Sequence, residues 1–150
     1  MAVLSLLDVL TQRVLVADGA MGTMLQSVPL SLDDFAGLEG CNEILNVTRP
    51  DVVRTVHRGY LEAGADAVES NTFGANLANL AEYGIAERVR ELAEVGARLA
   101  REVADEFAEA DRRRFVLGSV GPGTKLPTLG HISFAELRDA YVEQVRGLLT

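Results

Sequence analysis

The chain has 150 residues, 48% of them hydrophobic, and a formal net charge of −8. That supplies the core of one ordinary domain, and the acidic balance excludes a nucleic-acid phosphate partner, which demands a basic face. One cysteine, Cys41, and two distant histidines, His57 and His131, exclude an internal disulfide and have no zinc-ligand spacing. Cys41 therefore reads as an inert or half-buried thiol, and the histidines as ordinary surface or packing residues.

The opening run Met1 to Leu7 is apolar, but it lacks a basic leader and Asp8 interrupts it. It reads as a short helix rather than a secretion signal, and no run is long enough to span a bilayer, so a cytoplasmic protein with no membrane partner is expected. Val14 to Ala17 is apolar on both faces, as for a parallel strand covered from both sides. Ser27 to Val47 is irregular. Thr48-Arg49-Pro50-Asp51 then reads as a helix start, with Thr48 as cap, Pro50 where its missing N–H is harmless and Asp51 at the positive end. Val52, Val53, Val56 and Tyr60 line one face of that helix, and Gly64 stops it.

Ala65 to Ser70 is the second predicted strand, opening into the polar turn Asn71-Thr72-Phe73-Gly74-Ala75-Asn76. Ile85, Val89, Leu92, Leu99 and Val103 keep helical spacing through a long amphipathic helix. Arg112-Arg113-Arg114, beside Glu109 and Asp111, reads as a solvated loop face. Phe115 to Val120 is the third strand, ending in Gly121-Pro122-Gly123. Ser133 and Glu136 form a capping box for a helix whose apolar face holds Leu137, Tyr141 and Leu148. The order βαβαβα makes the fold class α/β, with a parallel sheet and helical crossovers. A doubly wound sheet and part of a (βα)8 barrel both satisfy it, and both place ligands at the carboxyl ends of the strands.

The three strand-end loops are the richest in Gly, Asn, Ser and Thr, and they belong on one rim. Their glycines match neither the phosphate-binding GxxxxGK pattern nor the dinucleotide pattern GxGxxG. A smaller ligand fits. Gly19 and Gly22 let backbone amides approach a carboxylate, and Asp18 beside them offers a partner for an ammonium group, so one loop serves both ends of an α-amino acid. The competing reading is that Asp18 and Gly19 merely end a strand in a tight turn. Asn71 and Asn76 read first as turn and cap residues. No nucleophile–base pair or metal-ligand cluster identifies a reaction.

Four ordered blocks carry a resemblance: RVLVADGAMGTMLQ (Arg13 to Gln26), GCNEILNVTRPDVV (Gly40 to Val53), YLEAGADAVESNTFGAN (Tyr60 to Asn76) and GSVGPGTKLP (Gly118 to Pro127). Together they resemble the amino-terminal, homocysteine-binding module of the cobalamin-dependent methionine synthases, over nearly the whole chain from Arg13. Enzymes that methylate homocysteine from other donors share the early Asp-Gly loop, whereas NEILNVTRP and SNTFGAN look more like methionine synthase.

The resemblance implies a (βα)8 barrel whose rim binds homocysteine and zinc, and methyl transfer to the homocysteine sulfur from methylcobalamin, itself recharged by methyltetrahydrofolate. It implies that Asp18 and Gly19 flank the amino-acid substrate, that the amides of Met21 and Gly22 receive its carboxylate and that Thr72 lines the neighbouring rim. In the family, three cysteines of the later half of the barrel hold zinc; Cys41 is not in such a block, so the zinc ligands are expected to be absent from this chain. A complete barrel takes roughly 250 residues. Residues 1–150 are thus expected to be an incomplete amino-terminal part of that barrel, about three βα units after an N-terminal helix. The expected partners are homocysteine and the remaining barrel, folate and cobalamin modules. Alternatives stay open: an inert fragment that self-associates through open sheet edges, or a relative using a different methyl donor.

Overall fold

Three parallel segments are brought together by one buried carboxylate at their starting ends. The computed structural model describes residues 5–150; Met1 to Leu4, the first part of the predicted opening helix, lie outside the described residues. Helix α1 (Leu6–Leu10) starts at a Ser5–Asp8 capping box. There follow α2 (Met21–Gln26), α3 (Leu45–Thr48), α4 (Pro50–Glu62), β1 (Ala67–Glu69), α5 (Leu77–Glu82), α6 (Val89–Glu106), β2 (Phe115–Leu117) and α7 (Phe134–Leu148).

Strands β1 and β2 pair in parallel, with Ala67 opposite Phe115, Val68 opposite Val116 and Glu69 opposite Leu117. The predicted strand Val14 to Ala17 reaches the other edge of β1, but only as a single parallel bridge, Ala17 to Ala67. Its carbonyl at Val16 accepts from the amides of Asp66 and Ala67, and the Asp18 amide donates to Ala67 O. The Val16 N–H goes instead to the Asp66 carboxylate, at 3.1 Å. That diversion shortens the ladder. The expected cover on both faces is not found: Val14 is 84% exposed and Val16 58%.

One face of the sheet is well covered. Val68 packs with Leu61 of α4 and with Ala100, Val103 and Ala104 of α6. A second cluster joins Leu25 of α2, Leu45 of α3, Val52, Val53 and Val56 of α4 and Leu99 of α6. Both use the apolar stripes read from the sequence. On the outer side, Arg54 pairs with Glu102 at 2.8 Å and Arg58 with Glu106 at 2.7 Å, two half-exposed ion pairs worth little individually.

Several local expectations are corrected. Thr48 ends α3 and donates its hydroxyl to Ile44 O at 3.1 Å; the residue flanking α4 is Arg49, which has no side-chain cap, while Pro50 opens the helix as expected. The long helix splits: Leu77–Glu82 is separate, and α6 begins only at Val89, after a 3-10 turn at Ala86–Arg88. Within the stretch expected to be irregular, Asn42–Ile44 form a 3-10 turn that runs into α3.

The basic triplet is not a solvated face. Asp66, 2% exposed, accepts from Arg13 at 2.8 and 3.0 Å and from Arg112 at 2.9 and 3.1 Å. Arg114 is itself buried and donates to Ala65 O and Phe107 O, and Arg113 lies over the Phe115 ring, 5.7 Å from its centre. A buried carboxylate pays its desolvation only through such bonds. The missing signal was the acid, which lies 46 residues before Arg112 in the sequence.

The Arg13 and Arg112 guanidiniums hold the Asp66 carboxyl well below the usual carboxylate range. A depressed acid stabilises the fold at every pH above its unfolded value, near 4, and loses that contribution only below it. Asp66→Asn should therefore cost about 3 kcal/mol at pH 7, read from urea denaturation. His57 behaves differently. It is fully buried on α4, neither ring nitrogen has a partner among the described residues, and burial pushes its pKa down to about 4. Its neutral form is the one that folds, so stability is complete above about pH 6.5 and falls as pH drops toward 4, by up to about 3 kcal/mol. His57→Leu should abolish that slope in denaturation curves collected across the interval.

Candidate functional site

At the exits of the three parallel segments the chain makes a cleft of about 530 Å³. Asp18, Gly19, Met21, Gly22 and Thr72, the residues singled out in the sequence, all line it, together with Glu69. Each owes its place to local structure. Asp18 follows the Ala17 bridge directly; Met21 and Gly22 form the first turn of α2, where amide N–H groups have no intrahelical acceptor. Thr72 sits in the loop leaving β1.

Asp18 is the pivot of the cleft. Both its carboxylate oxygens accept from the Glu69 amide, at 3.0 and 3.1 Å. Burial raises its pKa to about 6, the Glu69 amide works against that rise, and the nearby Glu69 carboxylate adds to it. Glu69 in turn accepts from the Ser119 hydroxyl at 3.1 Å. Asp18, Glu69 and Glu43 are the charged side chains on the cleft, and none of its described lining residues is basic. Its field favours a cationic group beside Asp18 and Glu69.

Thr72 is fully buried. Its hydroxyl donates to Ser119 O at 2.8 Å, which leaves Ser70 Oγ, 2.7 Å away, to donate to it. The Ser119 amide donates to Ser70 Oγ at 3.1 Å, and the Gly121 amide to Phe73 O at 3.0 Å. The Thr72 side chain therefore sews the loop after β1 to the loop after β2. The two glycines differ as well. A Cβ on Gly19 would lie 3.1 Å from the Tyr60 hydroxyl, a tight approach to which the tyrosine would have to give by a few tenths of an ångström; a Cβ on Gly22 would meet Asn42 at an ordinary 3.7 Å.

Sequence reasoning missed the polar layer below the cleft. Asn71 lies in the bend after β1 as expected, but its side chain reaches out of it: it donates to Asn42 O at 2.8 Å and to the Asn46 side chain at 3.0 Å, while Asn46 donates back to Asn71 O at 2.8 Å and to Leu92 O at 3.1 Å. Both amides are buried. Glu43, also buried, accepts from the Gly74 amide at 2.7 Å, and burial pushes its carboxyl up. The available signal was Asn46 inside the apolar run Ile44-Leu45-Asn46-Val47. Asn76 does cap α5, accepting from the Asn79 amide at 3.0 Å.

Cys41 is buried, its sulfur 3.9 Å from a Glu43 oxygen, and burial pushes the thiol up, so it stays protonated and inert as expected. His131 is exposed and accepts from the Leu126 amide at 3.4 Å. Among the described residues no group of three His, Cys, Asp or Glu side chains is placed to hold a metal ion, and no helix is long and apolar enough to cross a membrane. The cleft offers binding groups for a small zwitterion.

The raised Asp18 pKa has a measurable sign. The folded chain keeps this proton up to about pH 6 and the unfolded chain releases it near 3.8, so the group's contribution to stability declines as pH rises between those values, opposite to His57. The Asp18 carboxyl carbon should titrate near pH 6 by NMR in the unliganded chain.

The chain is 67% identical over 144 residues to the methionine synthase of Mycobacterium tuberculosis and 62% identical over 144 residues to that of Mycobacterium leprae; each match covers 96% of this chain and 12% of the relative. The chain thus spans about one eighth of the length of these curated relatives. Among solved structures, the Escherichia coli homocysteine methyltransferase MmuM superposes in its oxidized form with a TM-score of 0.73 at 25% identity, over 93% of this chain and 51% of that one. Its metallated form gives the same score and identity, over 94% and 52%. A family model, homocysteine S-methyltransferase, matches residues 15–150. The chain belongs to the homocysteine S-methyltransferase family.

Proposed function

We propose that the polypeptide carrying these residues methylates the thiolate of homocysteine to give methionine, and that this chain forms part of the amino-acid-binding rim. The observation that carries the reading is the cleft at the strand exits, where the Asp18 and Glu69 carboxylates and the free first-turn amides of Met21 and Gly22 line one space. The ammonium of homocysteine sits beside Asp18 and Glu69. Its carboxylate takes the amides of Met21 and Gly22, with Gly19 leaving room for the substrate backbone and Thr72 holding the neighbouring wall. An ammonium close to Asp18 offsets the cost of burying that charge, so ligand binding and Asp18 ionisation reinforce each other.

Residues 1–150 make up an incomplete part of a (βα)8 barrel in this reading, supported by the parallel βαβ units and by a superposition that covers 51% of the E. coli chain. The methyl donor is methylcobalamin, recharged by the folate module of the longer polypeptide; the high identity to two methionine synthases supports this donor over others. Zinc does not fit the side chains here, since no three ligands converge among the described residues. It belongs with cysteines outside this chain, and the contribution derived for these residues is confined to gripping the amino-acid end of the substrate.

A second reading concerns the 150 residues alone. Val14 and Val16 beside the sheet and Leu149 after α7, 84%, 58% and 81% exposed, support an inert piece that self-associates over these surfaces.

In the full natural polypeptide, Asp18→Ala should weaken homocysteine binding roughly tenfold or more by titration calorimetry while leaving the thermal midpoint close to the parent value. Parent affinity should itself fall as pH drops below about 6, where binding must first strip the proton from Asp18. Affinity indifferent both to Asp18→Ala and to pH would return the aspartate to a turn-forming role.

A further inference from the structure

Helix α7 carries a polar residue inside its apolar stripe. Leu137, Tyr141, Gln144 and Leu148 recur at helical spacing, yet Gln144 is fully buried. Its Nε2 donates to Thr72 O at 2.7 Å. Its Oε1 has no partner among the described residues. An unmet acceptor in the interior is a burden on the fold that methionine or leucine would not impose. What the other end of the amide holds gives a reason to keep it.

Three residues earlier on the same face, Tyr141 donates its hydroxyl to Gly121 O at 2.9 Å. Thr72 lies in the loop after β1 and Gly121 in the loop after β2, so one helix grips both. These are the loops already joined by the Thr72 hydroxyl on Ser119 O and the Gly121 amide on Phe73 O. Close docking of α7 on α6 makes the reach possible. A Cβ on Gly147 would lie 2.5 Å from Arg90 O and 2.9 Å from the Ala93 Cβ, so any larger residue would lift α7 away.

We propose that Gln144, seconded by Tyr141, is a positioning residue for the amino-acid-binding rim: it fixes the Thr72 peptide and through it the β1-exit wall of the cleft. Gln144 is not among the cleft's lining residues, so it acts through Thr72. The inference rests on the homocysteine reading above, and its test separates the two.

The variant is Gln144→Met, made in the full natural polypeptide, which keeps the volume and deletes the amide. Ligand-free amide hydrogen exchange over residues 70–76 should quicken about tenfold, and homocysteine affinity should weaken about tenfold. The thermal midpoint should stay level or rise. Compared with the parent at the same pH, Gln144→Glu should lose least affinity at low pH, where its protonated carboxyl can donate to Thr72 O, and progressively more as pH rises. Unchanged exchange at 70–76 would overturn the proposal, as would an affinity loss that merely follows a lowered thermal midpoint. If the parent polypeptide does not bind homocysteine, the functional reading fails, while the exchange experiment still decides for or against Gln144. Should Gln144→Met not fold, Tyr141→Phe at its half-buried position decides by the same two measurements, with exchange followed at Gly121 and Phe73.

Discussion

The buried charge of Asp66 is the constraint on which the rest is arranged. It lies just before β1, and its two oxygens collect Arg13 from before the first segment, Arg112 from before β2 and the Val16 amide. Three stretches of backbone distant in sequence are thereby pinned at their starting ends. Because the segments are parallel and short, fixing where they begin also fixes where they end, and their ends carry the cleft. The same acid explains the abbreviated first segment, whose amide it takes from the ladder. Stability at one end of the sheet thus sets geometry at the other.

The exit end is built on a different principle. There Thr72, Ser70 and Ser119 bond to one another's loops, and Asn46 and Asn71 exchange amide bonds beneath them. Helix α6 comes close to this layer through Gly96, where a Cβ would lie 2.6 Å from the Thr72 methyl and 2.7 Å from the Asn46 amide nitrogen. Buried polar networks of this kind are expensive when any member is left unmet and rigid when all are satisfied. The rim is therefore a backbone surface held by side chains facing inward, with Asp18 and Glu69 supplying its charge.

Periodicity and punctuation made the framework legible. The stripe Val52, Val53, Val56 was read correctly because burial follows the helical repeat; Ser133 with Glu136, and Gly64 with its positive φ of 105°, mark helix ends by local chemistry alone. The residues of the cleft were picked from loops following apolar runs, and they do meet in space. What escaped the sequence depends on partners remote along the chain. Arg112 and Arg114 resembled solvated charge until Asp66 was set beside them, and Asn71 resembled no more than a turn residue until Asn46 was. Gln144 lay in plain view within an apolar stripe, but its acceptor is a peptide carbonyl 72 residues away, which no local pattern encodes.

The ion pairs between α4 and α6 carry a further lesson about register. Arg54 with Glu102 and Arg58 with Glu106 repeat the same offset of 48 residues. A helical turn spans about 3.6 residues, so sliding one helix past the other by a single turn would set Arg58 opposite Glu102, forfeit one of the two rungs and bring Arg54 against Arg98. The ladder opposes that slide, though only weakly at half-exposed positions. Packing makes the larger share of the choice, where Leu61 of α4 meets Ala100, Val103 and Ala104 of α6. The charges advertise the meeting of these helices, but the hydrocarbon decides where they stop.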